Sequence, residues 1–335
     1  MKLPRRTALI PTSIVVLSLW LVPSADAARP RCFGRPATIV GTPGRDVLVG
    51  RPGPDVIVGL GSRDLISGGT GRDRICGGDG DDYLTGGNES DFIDGEAGTD
   101  VLDGFDDLRG ERGGGGDDLL LGGTDSDILF AGAGNNDLIG GEGNDDLVDG
   151  EHAGDDVFDG GPGTDTQSFQ FTPSGVVVNL VDGTSTGNGS DLLSGFESVL
   201  GSPFDDTLIG DDSGNILNGL EGNDTIRGGE GADDLGGNLG DDEVYGEGGD
   251  DVIGKANEYG DDTIYGGPGD DVITSDVDVT QFPGFAGSDS VFGDAGDDVI
   301  DVRDGVGSND SVNGGADADS CLADVGDFVI DCEVT

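Results

Sequence analysis

Residues 77–85 read GGDGDDYLT, and the same nine-residue pattern returns as GGEGNDDLV at 140–148, GLEGNDTIR at 219–227 and GGPGDDVIT at 266–274. Each copy has glycine in its first half, an aspartate in its sixth position and an aliphatic residue in its eighth. A short fixed period predicts a solenoid, in which identical small units stack on one another. An acid at the same point of every unit predicts a column of like charges, and such a column needs a cation.

The nine-residue frame runs unbroken from Gly41 to Val148, then slips by two residues, breaks over 169–200 and returns from Gly201. In the unbroken stretch, ten of the twelve sixth positions are Asp and eleven of the twelve eighth positions are Leu or Ile. Further acids fit the frame at Asp156, Asp165, Asp310 and Asp319. The aspartates that we predict as metal ligands are Asp46, Asp55, Asp64, Asp73, Asp82, Asp91, Asp100, Asp118, Asp127, Asp145, Asp206, Asp224, Asp233, Asp242, Asp251, Asp262, Asp271, Asp289 and Asp298.

The glycine-rich half of each unit predicts a turn, because glycine weakens both helices and strands and readily adopts positive φ. The other three residues predict a short strand whose eighth position points inward. Two units then make one full coil, so residues eighteen apart lie above one another, about 4.7–4.9 Å apart. This stacking places Asp64 over Asp82 and Asp100 over Asp118. The unit Gly104–Arg112 lacks both signature residues, and we predict that it keeps the spacing without binding an ion.

Composition and charge narrow the class of protein. The chain has 335 residues, of which 68 are glycine and 5% aromatic, which argues against one large globular core. Its net charge is −53, and Lys255 is the single lysine beyond the first 27 residues. Nucleic acids and anionic membrane surfaces are therefore unsuitable partners, since both require clustered basic side chains.

The first 27 residues are typical of an export signal. Lys2, Arg5 and Arg6 precede a mostly apolar run over 7–22, and Ala25-Asp26-Ala27 fits a cleavage site. We expect cleavage after Ala27 and an extracellular, secreted protein; an uncleaved membrane anchor is the alternative. No later apolar run is long enough to span a bilayer, so we expect no transmembrane segment after cleavage.

Four cysteines in an exported chain suggest two disulfides, although four unpaired buried thiols remain an alternative. Three pairings are possible among Cys32, Cys76, Cys321 and Cys332. We favour Cys32–Cys76 and Cys321–Cys332, one near each end, because terminal repeats have a single neighbour and fray.

Calcium is the cation that best suits a column of carboxylates beside glycine turns. It accepts six to eight oxygens, including backbone carbonyls, in loose geometry, whereas magnesium demands a strict octahedron. Zinc prefers His or Cys, and the chain has one His and four cysteines expected in disulfides.

Over residues 41–168 and 201–322 the repeats resemble the RTX (repeats-in-toxin, haemolysin-type) calcium-binding nonapeptides of exported bacterial proteins. The resemblance implies an all-β fold, a right-handed parallel β-roll or β-helix solenoid. It also implies that Asp82 binds calcium together with the carbonyls of Gly77, Asp79 and Asp81, sharing the ion with Asp64. The chain departs from the pattern at Arg45, Arg63 and Arg72 in fifth positions, and at Arg109, Asn136 and Asn215 in the place of the acid.

The frame divides the chain into six segments. We expect a signal peptide at 1–27, an N-terminal cap at 28–40, repeat blocks at 41–168 and 201–322, a strand-rich insert at 169–200 and a C-terminal cap at 323–335. At millimolar calcium each site would add roughly 1 kcal/mol. We therefore expect a chain that is loose without calcium and folds after export.

Two short motifs raise the question of catalysis. Residues 183–187 fit GxSxG, but the only His, His152, precedes Ser185, and no helix start follows. Residues 249–255 fit GxxxxGK, but Ala256 stands where Ser or Thr should hold magnesium. We predict a non-enzymatic, secreted calcium-binding protein with a structural or binding role. The alternatives are a secreted hydrolase or toxin with calcium-stabilised repeats, and a surface adhesin that binds cell-surface or matrix polysaccharide.

Overall fold

The computed structural model describes residues 29–104, 116–150, 152–254, 260–275, 287–303 and 309–333. Every regular element within these ranges is a β-strand. No helix in the described part of the chain is long and apolar enough to span a membrane. The expected export signal at 1–27, together with Arg109 and Lys255, lies outside the described residues.

Most strands have three or six residues, as expected from a unit that is part turn and part strand. The strands are β1 (Arg31–Cys32), β2 (Arg35–Pro36), β3 (Ile39–Val40), β4 (Val47–Val49), β5 (Val56–Gly61), β6 (Leu65–Thr70), β7 (Arg74–Asp79), β8 (Tyr83–Asn88), β9 (Phe92–Ala97), β10 (Val101–Asp103), β11 (Leu119–Thr124), β12 (Ile128–Phe130), β13 (Asp137–Glu142), β14 (Asp146–Val148), β15 (Val157–Asp159), β16 (Thr166–Ser168), β17 (Val177–Asn179), β18 (Thr184–Thr186), β19 (Ser190–Ser194), β20 (Ser198–Leu200), β21 (Thr207–Ile209), β22 (Ile216–Glu221), β23 (Thr225–Glu230), β24 (Asp234–Leu239), β25 (Glu243–Gly248), β26 (Val252–Ile253), β27 (Thr263–Pro268), β28 (Val272–Thr274), β29 (Ser290–Ala295), β30 (Val299–Asp301), β31 (Ser311–Asn313), β32 (Ser320–Leu322) and β33 (Phe328–Ile330).

Successive strands alternate between two sheets, and the pairing along each sheet is parallel outside β17–β19. Sheet I has 14 strands in the order β4-β6-β8-β10-β12-β14-β16-β20-β22-β24-β26-β28-β30-β32. Sheet II contains the remaining strands from β3 to β33. Tyr83 pairs with Leu65 and with Val101, eighteen residues away on either side. This is a parallel β-solenoid, and the predicted all-β, parallel fold is confirmed.

The core is a row of single aliphatic side chains between the two sheets. Leu84 and Ile93, both in eighth positions, are fully buried, whereas their neighbours Phe92 and Asp94 are partly exposed. Burying one such side chain contributes roughly 1.5–3 kcal/mol. The row is interrupted by Gln167, which pairs with Leu147 and Val199 and is also fully buried.

One part of the predicted register is wrong. Asp100 does not lie over Asp118; instead Leu102 pairs with Leu129, and Ile93 pairs with Leu120, each 27 residues away. The unit at 104–112 therefore does not take a place of its own in the stack. Nine extra residues in the turn between β10 and β11 preserve the sequence spacing while shifting every later contact by one unit.

The turns that lead from sheet II to sheet I lie at one edge, which we call the regular edge. The turns that lead back lie at the other, the variable edge. Regular-edge turns such as 59–64 and 77–82 have six residues, and the segment 195–197 is shorter. All the elongated connections lie at the variable edge, at 104–118, 149–156, 254–262, 275–289 and 302–310.

Residues 169–200 form strands, as the alternation of GVVVNLV at 175–181 predicts, but part of the pairing is antiparallel. β17 pairs with β18 and β18 with β19, both antiparallel. β19 and β17 then join the solenoid in parallel, through β15 and β21. Sheet II thus gains two strands at this level, while in sheet I β20 lies directly between β16 and β22.

Each end of the stack carries a disulfide. Cys32, in the β1–β2 hairpin, is bonded to Cys76 in β7, and this pair is buried against Ala37 and Val58. Cys321 in β32 is bonded to Cys332, just after β33. Both bonds attach a terminal segment to the solenoid.

Candidate metal centre

The aspartates in the sixth positions are joined from coil to coil by hydrogen bonds. The backbone N–H of Asp64 donates to Oδ1 of Asp82 at 2.7 Å, and that of Asp82 donates to Oδ1 of Asp100 at 2.7 Å. The same bond crosses the two longer steps, from Asp91 to Asp118 and from Asp100 to Asp127. Because the carboxylate accepts from a fixed backbone group, each aspartate is held at the point where its strand begins.

The second carboxylate oxygen, Oδ2, has no protein donor in most of these turns. Asp73 and Asp100 are fully buried, yet their Oδ2 atoms accept no hydrogen bond from a protein group. A buried oxygen without a partner is costly and marks a place for a missing group. Among the described residues, the aspartates with such an Oδ2 are Asp64, Asp73, Asp82, Asp91, Asp100, Asp118, Asp127, Asp145, Asp156, Asp165, Asp224, Asp233, Asp242, Asp251, Asp271, Asp298 and Asp319.

Backbone carbonyl oxygens lie beside these carboxylate oxygens. A methyl group built on Gly68 would meet Oδ2 of Asp73 at 2.6 Å and the carbonyl oxygen of Gly86, one coil on, at 2.5 Å. Glycine is required at this first position because a side chain would fill the space between the oxygens. The next residue, Gly69, has φ of 96°, a conformation in which glycine is favoured.

Asn136 shows what the place of Oδ2 faces. Its Oδ1 accepts the backbone N–H of Asp118 at 3.0 Å, as an aspartate would. Its Nδ2 donates to the carbonyl oxygen of Gly134 at 3.3 Å. In the aspartate turns an acceptor would replace this donor, and two acceptors would face each other. A cation that binds oxygen satisfies both, and oxygen ligands of this kind suit calcium.

Burial raises the pKa of these carboxyl groups well above the ordinary value of 3.8. The pKa of Asp91 rises to about 8, because of burial first and the nearby charges of Asp118, Asp73 and Glu89 second. Burial and neighbouring carboxylates likewise raise the pKa of Asp100 to about 8 and that of Asp271 to about 7. Without a cation the column therefore retains protons near neutral pH; a bound cation would favour the ionised form.

Three of the predicted ligands differ from the others. Asp46 accepts the N–H and the hydroxyl of Thr42 at Oδ2. Asp55 accepts the N–H of Arg51 at Oδ2, at 2.6 Å. Asp206 accepts the N–H of Ser202 at Oδ2, at 2.6 Å. Their Oδ2 atoms therefore already have protein donors.

The structure extends the columns to acids that the nine-residue frame missed. Glu197 accepts the N–H of Asp165 through Oε2 at 2.9 Å, and Glu333 accepts the N–H of Asp319 in the same way at 2.7 Å. Asp191 accepts the N–H of Asp156 at 3.0 Å. A usable signal was present, since Glu197 and Asp191 each lie two residues before an inward aliphatic residue, as the sixth position does before the eighth.

Asp149 is a further buried carboxylate, at the start of the elongated turn after β14. Its Oδ1 accepts from Nδ2 of Asn188 at 2.9 Å, and its Oδ2 has no protein donor. Burial and the charges of Asp191 and Asp156 raise its pKa to about 8. The residue occupies the first position of its turn, where the other units have glycine, and this substitution is visible in the sequence.

The serine of the GxSxG motif lies in the middle strand of the antiparallel segment. Ser185, in β18, is 1% exposed and its hydroxyl donates to Oδ2 of Asp191 at 2.6 Å. The strand is followed by β19 rather than by a helix. Both features differ from a nucleophile elbow, which exposes its serine between a strand and a helix.

The sequence matches the protein family described as RTX calcium-binding nonapeptide repeat (4 copies). The matched residues are 40–75, 77–104, 112–147, 152–167, 200–235, 232–253, 258–278 and 283–306, more than half of the chain. They include nearly all the aspartates with an unpartnered Oδ2 and omit most of the segment with antiparallel pairing. A search of curated proteins finds no match.

Proposed function

Because this chain belongs to the RTX calcium-binding nonapeptide repeat family, we propose that it is a secreted protein that folds outside the cell by binding a series of calcium ions. The observation that carries the proposal is the series of buried Oδ2 atoms without a protein donor. Each lies where an amide nitrogen, in Asn136, makes a hydrogen bond to a carbonyl oxygen. A cation would satisfy both oxygens at every such turn.

The proposed ligands are carboxylates of the stacked turns, with backbone carbonyls of the same turns completing the oxygen set. A calcium ion bound there supplies positive charge that offsets the repulsion between stacked acids. The proposed carboxylate ligands are Asp64, Asp73, Asp82, Asp91, Asp100, Asp118, Asp127, Asp145, Asp156, Asp165, Asp224, Asp233, Asp242, Asp251, Asp262, Asp271, Asp289 and Asp298.

Coupling of folding to calcium follows from charge and burial together. The chain carries a net charge of −53, and its folded state buries a column of carboxyl groups at each edge. At millimolar calcium each site would contribute roughly 1 kcal/mol. Several sites together then reach the order of a whole domain's stability, about 5–15 kcal/mol. Loss of calcium should therefore unfold or loosen the solenoid.

An extracellular location is supported by three independent features. The N-terminal sequence is typical of a cleaved export signal. Both disulfides suit an oxidising compartment. Millimolar calcium occurs outside cells, where weak sites would be filled. We propose cleavage after Ala27 and two calcium-loaded repeat blocks, at 41–168 and 201–322, on either side of the segment 169–200.

We propose a structural or binding role rather than a catalytic one. The alternative of a polysaccharide-binding adhesin gains little from the aromatic column of sheet II. Tyr245, Tyr265 and Phe292 stack face to face, with ring centroids 5.0 and 4.8 Å apart, and Arg227 lies over Tyr245 at 4.2 Å. Sugars stack on free ring faces, and these faces are largely occupied by one another.

The test is a calcium titration of the purified protein, followed by far-ultraviolet circular dichroism. The proposal predicts that β-sheet signal and thermal stability increase with calcium up to millimolar concentration. Magnesium at the same concentration serves as the control for simple charge screening and should have a much smaller effect. Equal sheet content in chelator and in excess calcium would contradict the proposal.

A further inference from the structure

Four of the six-residue turns are closed by their own hydrogen bonds. They begin at Gly41, Gly50, Gly201 and Gly210, and each opens or follows the opening of a repeat block. In each, the N–H of the second residue donates to the side chain in the sixth position. The donors and acceptors are Thr42 and Asp46, Arg51 and Asp55, Ser202 and Asp206, and Asp211 and Asn215.

The second residue of the other six-residue turns has a different backbone conformation. Gly69 has φ of 96° and Gly229 has φ of 115°, whereas Arg51 and Ser202 are not among the residues with positive φ. Even non-glycine residues adopt positive φ at this position, with 91° at Leu60 and 81° at Leu220. This conformation is strained for a side-chain-bearing residue, so its repetition indicates a requirement of the turn.

The conformation decides where the amide hydrogen goes. In the turns with positive φ, the carboxylate Oδ2 is left without a protein donor, as in Asp73 and Asp233. In the four self-closed turns the N–H occupies the Oδ2 atom of Asp55 and Asp206, and Oδ1 of Asn215. A cation and an amide hydrogen cannot share one small space beside the same oxygen.

Side chains add further internal bonds to the self-closed turns. The Ser202 hydroxyl donates to Oδ1 of Asp206 at 2.7 Å and accepts the N–H of Phe204 at 3.2 Å. The N–H of Ser213 donates to Oδ1 of Asp211 at 2.8 Å. The Thr42 hydroxyl makes the equivalent contacts with Asp46 and Gly44. These turns are therefore satisfied by protein groups alone.

We infer that the second residue of each six-residue turn selects between a calcium-binding turn and a metal-free turn, and that the turns beginning at Gly41, Gly50, Gly201 and Gly210 are metal-free. The inference deepens the proposed function and rests on it. It removes Asp46, Asp55 and Asp206 from the ligands that the spacing alone predicts. The first two turns of each block then form a calcium-independent base on which the calcium-dependent coils stack.

Glycine substitutions test the inference by adding a site. Arg51→Gly changes the turn 50–55 from GRPGPD to GGPGPD. The double substitution Ser202→Gly and Phe204→Gly changes GSPFDD at 201–206 to GGPGDD, the sequence of the turn 266–271. Each variant should bind one calcium more than the unmodified chain. Arg51→Ala removes the same positive charge without favouring positive φ, and it should leave the number unchanged.

Native mass spectrometry of the full chain at fixed millimolar calcium resolves a difference of one ion. Asp206→Asn should retain the unmodified number, whereas Asp224→Asn should lose at least one ion. Loss of an ion in Asp206→Asn, or no gain in both glycine variants while they remain folded by circular dichroism, would overturn the inference. An unmodified chain that binds no calcium would instead overturn the proposed function, so the two failures are distinguishable.

Discussion

The backbone amide of Asp64 donates to Oδ1 of Asp82 at 2.7 Å, although the residues lie eighteen positions apart. This bond uses one carboxylate oxygen to hold the aspartate and leaves the other buried and without a protein donor. Its repetition at both edges of the solenoid gives two columns of oriented acids. Position and vacancy thus arise from the same side chain, which is the basis for every prediction below.

Asp82→Asn should exchange the proposed calcium for an amide hydrogen. By analogy with Asn136, Oδ1 would keep the bond from Asp64, and Nδ2 would donate to the carbonyl of Gly80, the fourth residue of the turn. We predict higher stability than the unmodified chain in chelator, because one buried acid is removed. In millimolar calcium we predict a loss of about 1 kcal/mol, since one site is lost.

Urea unfolding in chelator and in calcium measures both effects. Asp81→Asn is the matched control, because it removes a charge from the adjacent, exposed side chain and leaves its backbone carbonyl in place. A variant Asp82→Asn that is destabilised equally under both conditions would contradict the interpretation.

The calcium-free protein should be more stable at acidic than at neutral pH. Burial raises the pKa of Asp91, Asp100 and Asp224 to about 8 in the folded chain, compared with the ordinary 3.8. As pH rises above about 4, the unfolded chain loses these protons while the folded chain keeps them, so the free energy of unfolding falls until about pH 8.

Denaturant unfolding in calcium-depleted buffer at several pH values between 4.5 and 8 measures this dependence. In saturating calcium the slope should weaken or reverse, because the bound ion stabilises the ionised carboxylates and protons compete with it. Stability that rises with pH in the absence of calcium would contradict the prediction.

Removal of residues 105–113 should convert an elongated turn into a repeat turn. Gly104 would then continue directly into Gly114, giving GGGGDD up to Asp118. Because Ile93 already pairs with Leu120 and Leu102 with Leu129, no strand contact needs to change. We predict an unchanged circular dichroism spectrum in calcium and equal or higher thermal stability. Loss of sheet signal would show that the removed residues are needed for the register.

Gln167→Leu should stabilise the fold, with or without calcium. Gln167 is fully buried, and neither Oε1 nor Nε2 has a hydrogen bond to a protein group. Leucine would continue the aliphatic row between Leu147 and Val199 and remove the penalty of about 1–3 kcal/mol for unpaired polar atoms. Thermal unfolding measures the change, and Gln170→Leu, on a less buried side chain nearby, is the control. A lower melting temperature for Gln167→Leu would imply an unrecognised partner for the amide.

The repeat made the fold predictable, because its two informative positions have separate physical roles. Eighth-position residues such as Leu84 and Ile93 form the core, and sixth-position acids such as Asp82 form the columns. The register after Asp103 was not predictable from spacing alone, because an insertion of nine residues leaves the frame intact. Arg109 and Glu111, in place of the acid and the aliphatic residue, were the available indication.

The distinction between turns was also hidden in the nine-residue pattern. Asp46 and Asp82 occupy the same position, and only the second residues, Thr42 and Gly78, differ in their backbone. Spacing identifies which acids stack, but hydrogen-bond satisfaction depends on φ at a neighbouring residue. The antiparallel strand β18 was equally beyond a periodic argument, since Ser185 lies outside both repeat blocks.

The most direct measurement is the anomalous diffraction of crystals grown in calcium. We predict a column of calcium peaks along each edge, each at about 2.3–2.6 Å from Oδ2 of an aspartate such as Asp73, Asp82 or Asp224 and from backbone carbonyl oxygens. No peaks are expected beside Asp55 or Asp206. Crystals at millimolar calcium in which Oδ2 of Asp73 and Asp82 contacts no metal would contradict the central claim.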